Sequence, residues 1–118
     1  MTKAPEKFSY EPWRHGGWYV SDVRYPSGAV GCVSRNYEDR KWRIVCDPRG
    51  FDAAPTFKSR DEAARAEWEL AQAQFRALTA EDIEARVAEE QTKFGSRADS
   101  WCNWLRTAHA AAVAKPSH

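Results

Sequence analysis

The clearest periodic pattern of apolar and polar positions in this chain lies in residues 60–78. An apolar residue recurs there at alternating steps of four and three, which is the spacing of one face of an amphipathic helix. The residues on this face are Ala64, Trp68, Ala71, Phe75 and Leu78. Ser59 and Glu62 occupy the two key positions of an S-x-x-E capping box just before it. The pattern therefore predicts a capped helix over residues 60–78 with its aromatic side chains in the core.

Two further helices are predicted downstream. Thr79 and Asp82 form a second capping pattern, which predicts a break in the chain and a new helix over residues 80–94. This second helix carries many charges and few large apolar residues. Gly95 is a favourable helix stop, and a third helix with an apolar stripe is predicted over residues 97–114.

The chain before the first helix favours strands. Three segments rich in strand-forming residues are separated by two short polar turns. These segments cover residues 18–25, 29–35 and 41–46. In the third, Trp42 alternates with Lys41 and Arg43, so we predict that Trp42 faces the core and the two cations face away from it. Short turns between neighbouring strands indicate an antiparallel three-stranded β-meander, and the fold class predicted is α+β.

The domain organisation follows from these elements. Residues 1–17 contain two prolines, two glycines and three aromatic residues, and they are interpreted as an N-terminal arm. Residues 18–118 are predicted to form a single α+β domain, with the sheet in residues 18–58. A length of 118 residues with 42% hydrophobic residues is sufficient for one core.

The chemistry expected of this chain is binding rather than catalysis. The sequence contains no phosphate-binding glycine loop, no nucleophile elbow and no histidine spacing typical of a metal site. We therefore expect a non-enzymatic protein with no cofactor and no metal. No apolar run approaches the ~20 residues of a membrane span. The N-terminal residues do not resemble a secretory signal, so a cytoplasmic location is expected.

The three cysteines are an odd set without a C-x-x-C pair, which favours reduced, structural thiols over a disulfide framework. If the second hairpin centres on Asp39, Cys32 lies opposite Cys46. A disulfide or a metal site is one interpretation of that pair. Two small buried thiols are the favoured interpretation.

The charge is unevenly distributed along the chain. Residues 1–60 carry eleven Lys or Arg against seven Asp or Glu, a net charge of +4, whereas residues 61–118 have a net charge of −3. Phosphate contact requires cations clustered on one face. The strands and turns supply Arg24, Arg35, Arg40, Lys41, Arg43 and Arg49. We predict nucleic-acid binding through Arg24, Arg35, Lys41, Arg43 and Arg49, and DNA and RNA both remain open.

Residues 56–63, read together with the strand that carries Trp42, resemble a known family. The matching residues are Thr56, Phe57, Lys58, Ser59, Glu62 and Ala63. The segment over residues 18–72 is similar to the AP2-like, arm-binding N-terminal domain of phage tyrosine recombinases. The resemblance implies a three-stranded sheet packed on one helix, with the open sheet face in a DNA major groove. It also implies that Arg35, Lys41 and Arg43 read the DNA and that the protein belongs to a phage or plasmid.

A protein-binding function is the alternative. Trp13, Trp18, Trp101 and Trp104 are more than a small core requires, and tryptophan is favoured at binding hot spots. Trp101 and Trp104, together with the acidic helices, would then serve an adaptor or an inhibitor of a host complex, such as a defence complex. A homodimer through the C-terminal helices is a further hypothesis.

Overall fold

A four-stranded antiparallel sheet and three long helices make up the computed structural model, which describes residues 4–114. The strands are β1 (Tyr10–Trp13), β2 (Gly17–Arg24), β3 (Val30–Ser34) and β4 (Arg43–Ile44). They lie side by side in chain order, and each neighbouring pair is antiparallel. The α+β class predicted from the sequence is confirmed, and the sheet has one strand more than predicted.

The helices follow the sheet in the chain. A short helical turn, α1 (Gly50–Ala53), precedes α2 (Arg60–Arg76), α3 (Ala80–Phe94) and α4 (Asp99–Val113). Helix α2 ends two residues before the predicted limit of residue 78. Helix α4 begins two residues after the predicted start of residue 97, because a 3₁₀ turn occupies Gly95–Ala98. The bounds of α3 are those predicted from its cap and its glycine stop.

Strand β1 lies inside the segment that the sequence indicates to be an arm. Tyr10 pairs with Val20, and Trp13 pairs with Gly17. Pro12 is compatible with this position because β1 is an edge strand. Over the described part of this segment, residues 4–9 form no strand or helix, and β1 and a 3₁₀ turn at Arg14–Gly16 follow them. Residues 1–3 of the predicted arm lie outside the described residues.

The hairpin between β3 and β4 has a different register from the one predicted. Val33 pairs with Ile44, and the Val45 amide donates to the Cys32 carbonyl at 2.9 Å. The hairpin is thus shifted by one residue relative to a turn centred on Asp39. Cys46 does not lie opposite Cys32 and is exposed, which corrects the prediction of two buried thiols at this place. The thiols of Cys32, Cys46 and Cys102 are all free.

The chain divides into two compact units, residues 4–71 and residues 72–114, where the sequence predicts a single domain for residues 18–118. The core of the first unit joins valines of the sheet to alanines of α2. Its most buried members include Val20, Val23, Val33, Ala63 and Ala64. Because the alanine side chains are small, the helix can pack close to the sheet. Larger side chains at these positions would not fit into such a closely packed core.

A carboxyl group lies within this first core. Glu67 is only 1% exposed, and its Oε2 accepts a hydrogen bond of 2.6 Å from the Tyr25 hydroxyl. Burial raises the pKa of Glu67 to about 7. Gly31 lies directly beside this group, since a Cβ atom there would stand 2.6 Å from Glu67 Oε1 and 2.8 Å from Val23 Cβ. The absence of a side chain at residue 31 makes room for the buried carboxyl.

The second unit, residues 72–114, has its own core of Phe75, Ile83, Val87, Cys102 and Leu105. The start of α3 is closed by a capping box, in which the Asp82 amide donates to Thr79 Oγ1 at 3.0 Å and the Thr79 amide donates to Asp82 Oδ2 at 2.8 Å. These contacts satisfy backbone donors that the first helical turn leaves unpaired. Within residues 4–114, no helix combines the length and the apolar character of a membrane span.

Candidate nucleic-acid interface

A cleft of about 430 Å³ lies at one end of the first unit, residues 4–71. Its walls are formed by arginine and tryptophan residues that are far apart in the chain. The lining residues are Gly16, Trp18, Arg35, Asn36, Arg40, Trp42 and Arg60. We call this site the arginine–tryptophan cleft. Its volume lies in the range of ~300–1,000 Å³ that is typical of ligand sites.

Backbone pairing positions the two indoles of the cleft. Trp18 is the second residue of β2 and pairs with Val33 of the neighbouring strand. The backbone of Trp42 pairs with that of Phe57, with hydrogen bonds of 3.2 and 2.9 Å in the two directions. Both indoles are half-buried and pack against the core of this unit. The two indoles are therefore held by backbone pairing, whereas Arg35, Asn36 and Arg40 lie in the connection between β3 and β4.

Two of the arginines stack on these aromatic rings. The Arg35 guanidinium lies 5.6 Å from the centre of the Trp42 ring. The Arg60 guanidinium lies 4.8 Å from the Trp18 ring and 3.8 Å from the Tyr10 ring. Such cation–π contacts hold a guanidinium in place while its N–H groups remain able to bind a further anion. Arg60 is also the first residue of α2, where the helix dipole adds positive potential.

No carboxylate neutralises the cations of the cleft. Within residues 4–114, none of the guanidinium groups of Arg35, Arg40 and Arg60 forms an ion pair with a carboxylate. Asp61 follows Arg60 in α2, and its carboxylate accepts a hydrogen bond from the Tyr10 hydroxyl. Three unneutralised cations around one concave site favour a ligand that carries several negative charges.

The backbone at Arg40 adopts the left-handed conformation, with φ at 58°. Its amide donates to the Tyr37 carbonyl at 3.0 Å, and the following amide, that of Lys41, donates to Asp39 Oδ1 at 3.0 Å. A residue with a Cβ is strained in this conformation and persists in it only where the surroundings enforce it. The turn thus places the Arg40 side chain on the cleft against the local preference of its backbone.

Arg43, by contrast, is not available to a ligand in the way the sequence predicts. Its guanidinium is buried and makes two hydrogen bonds to the Asp39 carboxylate, at 2.9 and 2.8 Å. It also lies over the rings of Tyr37 and Phe51, at 4.9 and 4.3 Å from their centres. This pairing holds the pKa of Asp39 well below its ordinary value. Arg43 therefore fixes the turn that carries Arg40, and its guanidinium is buried in an ion pair.

The sheet face away from α2 is not basic. Alternation along the paired strands places two rows of residues on that face. One row contains Glu11, Tyr19 and Cys32, and the other contains Trp13, Gly17, Ser34 and Arg43. Arg43 is the one cation in these rows, and it is already paired with Asp39. These two rows of the open sheet face therefore do not form the basic cluster that the sequence predicts.

The other predicted cations lie outside the cleft. Arg49 forms a two-point ion pair with Asp47, with hydrogen bonds of 2.8 and 2.6 Å. Arg24 lines a separate depression that also contains Glu11. Lys41 is exposed but does not line the cleft. Of the five predicted cations, the structure brings only Arg35 into the cleft.

Sequence reasoning missed Arg60 and Trp18 as members of this site. Arg60 lies between Ser59 and Glu62, the two key residues of the α2 capping pattern. The cap accounts for the sequence around Arg60 without any ligand. Trp18 begins a strand, and an aromatic residue in a strand is most simply interpreted as a core residue. Both residues could have been predicted from the sequence by looking for arginine and tryptophan residues at the ends of neighbouring elements.

The alternative site on α4 is also well defined. Trp101 and Trp104 stack with ring centres 5.0 Å apart and planes inclined by 14°. Phe75 meets Trp104 edge-on at 5.6 Å. Trp101 is half-buried, and Trp104 is 36% exposed. Trp101 packs against the second core, so Trp104 is the more accessible ring of the pair.

Comparisons of the chain with protein-family models, with curated proteins and with solved structures found no significant match. In residues 4–114, no group of three or more His, Cys, Asp or Glu side chains is arranged to hold a metal ion. The class of protein that the fold and the cleft define is therefore an α+β protein with a concave cationic and aromatic site.

Proposed function

We propose that this protein binds nucleic acid through the arginine–tryptophan cleft. The observation that carries the proposal is the convergence of Arg35, Arg40 and Arg60 on one cleft without a neutralising carboxylate. Phosphate groups are the recurrent anions of nucleic acids, and arginine binds them with two parallel hydrogen bonds. The role is that of a non-enzymatic binding protein, as the sequence predicts, with the binding surface moved from the sheet face to the cleft.

The relation to the AP2-like domain of phage recombinases is part of this proposal. A sheet packed on one helix is common to both. In this chain, however, the predicted readers Lys41 and Arg43 lie away from the cleft or in an ion pair. If the relationship holds, the nucleic acid contacts the end of the sheet instead of its open face.

The test is a titration of the protein with labelled oligonucleotides at two salt concentrations. The double variant Arg35→Ala/Arg40→Ala removes two exposed cations of the cleft. The control variant Arg76→Ala/Arg97→Ala removes two exposed cations of residues 72–114 and changes the net charge equally. Each phosphate contact contributes about 0.7–0.9 to the slope of log K against log salt concentration. The cleft variant should lose affinity and flatten this slope by one to about two units, whereas the control should match the wild type.

Two results would contradict the proposal. One is a wild-type protein that shows no salt-dependent binding to single-stranded or duplex DNA or RNA. The other is an equal loss of affinity in both double variants, because that would show a dependence on net charge and not on the cleft.

A protein-binding function is the second candidate, and the stacked pair on α4 favours it. An exposed tryptophan edge backed by a second ring is a rigid contact surface of the kind found at binding hot spots. The partner would be a protein complex, and the acidic α3 would form part of the contact. Replacing Trp104 by Ala should abolish such an interaction while leaving any affinity for nucleic acid unchanged.

A further inference from the structure

We infer that the ligand of the arginine–tryptophan cleft is single-stranded nucleic acid, held through an unpaired base as well as through phosphates. This inference rests on the proposed function and adds to it the strandedness of the ligand. Its basis is the aromatic half of the cleft, which phosphate binding alone does not explain. A site for phosphates alone requires only cations, whereas here two indoles and two stacked guanidinium groups form flat surfaces.

Flat surfaces of this kind are suited to bases. Proteins that bind single strands combine a positive groove with rings on which bases stack, and an arginine plane serves the same purpose. The Arg35 guanidinium over the Trp42 ring provides one such stack, and Arg60 over Trp18 provides another. Arg40 makes no ring contact of this kind in the described residues, so it remains for the phosphates. The cleft thus contains partners for both chemical parts of a nucleotide.

The position of the rings in the site favours an unpaired base over a base pair. In a duplex the bases are paired and stacked on one another, and a protein reaches them only along their edges in a groove. A cleft of about 430 Å³ is concave and has the size of a small-molecule site, so it can admit one unpaired nucleotide. The sheet face that could enter a groove carries the ion-paired Arg43 and Arg24, which shares a depression with Glu11.

The experiment removes the base from the ligand rather than a ring from the protein, because Trp18 and Trp42 pack against the core. Four labelled ligands with equal numbers of phosphates are titrated at one salt concentration. They are an oligothymidylate, an oligouridylate, an abasic deoxyribose-phosphate oligomer and a duplex hairpin. Stacking of one base contributes about 1–3 kcal/mol. The two single strands should therefore bind about tenfold more tightly than the abasic oligomer, and the hairpin should also bind more weakly than the single strands.

Matched variants identify the stacking surface. Arg35→Lys keeps the charge but removes the planar guanidinium over Trp42, so it should weaken binding of the oligothymidylate severalfold and weaken binding of the abasic oligomer much less. Arg40→Lys changes a cation that has no ring partner and should weaken both ligands to a similar extent.

The outcomes separate the inference from the proposed function. Equal affinity for the abasic oligomer and the oligothymidylate would overturn the inference while leaving phosphate binding in place. A preference for the hairpin would overturn it in favour of duplex binding. No binding of any ligand would overturn the proposed function as well.

Discussion

At the scale of single residues, Glu67 is a carboxyl group buried within the core of the first unit. It is buried beside Gly31, and its pKa in the folded protein is raised from 4.5 to about 7. Between these two values the folded state retains a proton that the unfolded state has released. The free energy of unfolding should therefore fall as pH rises from about 4.5 to about 7, by roughly 3 kcal/mol, and should then level off.

The variant Glu67→Gln tests this expectation because glutamine keeps the shape of the side chain but does not titrate. We expect the free energy of unfolding of the variant to fall much less between about pH 4.5 and about pH 7. The free energies of unfolding of the two proteins should therefore differ most above about pH 7. Denaturant unfolding of both proteins at several pH values measures the difference. Parallel pH curves for the wild type and the variant would show that Glu67 does not titrate in this range.

At the scale of elements, the start of α3 depends on one short side chain. Thr79 Oγ1 accepts the Asp82 amide hydrogen bond, and no other residue in the described chain replaces that contact. Thr79→Ala should lower the free energy of unfolding by about 1 kcal/mol, which is the usual effect of removing such a cap. Thermal or denaturant unfolding measures the change.

The matched control is Thr92→Ala in the same helix. The Thr92 hydroxyl donates to the Ala88 carbonyl, which the helix already satisfies, so its removal should change stability by less than ~0.5 kcal/mol. If both substitutions have the same effect, the cap is not what stabilises the start of α3.

The elements also show where sequence reasoning succeeds. The start of α2 and both ends of α3 were predicted because caps and glycine stops are local signals. Strand β1 was missed because its partner, β2, begins only after a 3₁₀ turn, and because Pro12 argues against a strand in isolation. The register of β4 was missed by one residue because Arg40, in the turn before it, has a left-handed backbone. The residue type at position 40 does not indicate that conformation.

At the scale of the whole molecule, the cleft could not be predicted because it joins residues from four separate parts of the chain. Arg35 was predicted as a cation at the end of the second strand, whereas Arg60 lies twenty-five positions further along. The sequence indicated the charge of the first sixty residues correctly but not its arrangement. Arg43 is ion-paired with Asp39 and Arg49 with Asp47, so neither contributes unneutralised positive charge. Such pairing is visible in the structure but not in the sequence.

Binding in the cleft should stabilise the fold as a whole. A ligand that binds only the folded state at a concentration of one hundred times its Kd adds about 2.7 kcal/mol to the free energy of unfolding. Saturating oligothymidylate should therefore raise the melting temperature of the wild-type protein, and the rise should be much smaller for Arg35→Ala/Arg40→Ala. An equal rise in both proteins would place the binding site elsewhere.

The left-handed backbone at Arg40 has a consequence for the evolution of this site. Glycine adopts that conformation without strain, so Arg40→Gly should raise the free energy of unfolding by up to about 1 kcal/mol. The same change deletes a cation of the cleft and should weaken oligonucleotide binding, which unfolding and titration of one variant together measure. Arg40→Ala should weaken binding without this gain in stability.

Stability and binding therefore make opposite demands on residue 40. A laboratory selection for heat resistance alone should enrich glycine at this position and discard the ligand. A selection for binding should restore arginine and accept the strained turn.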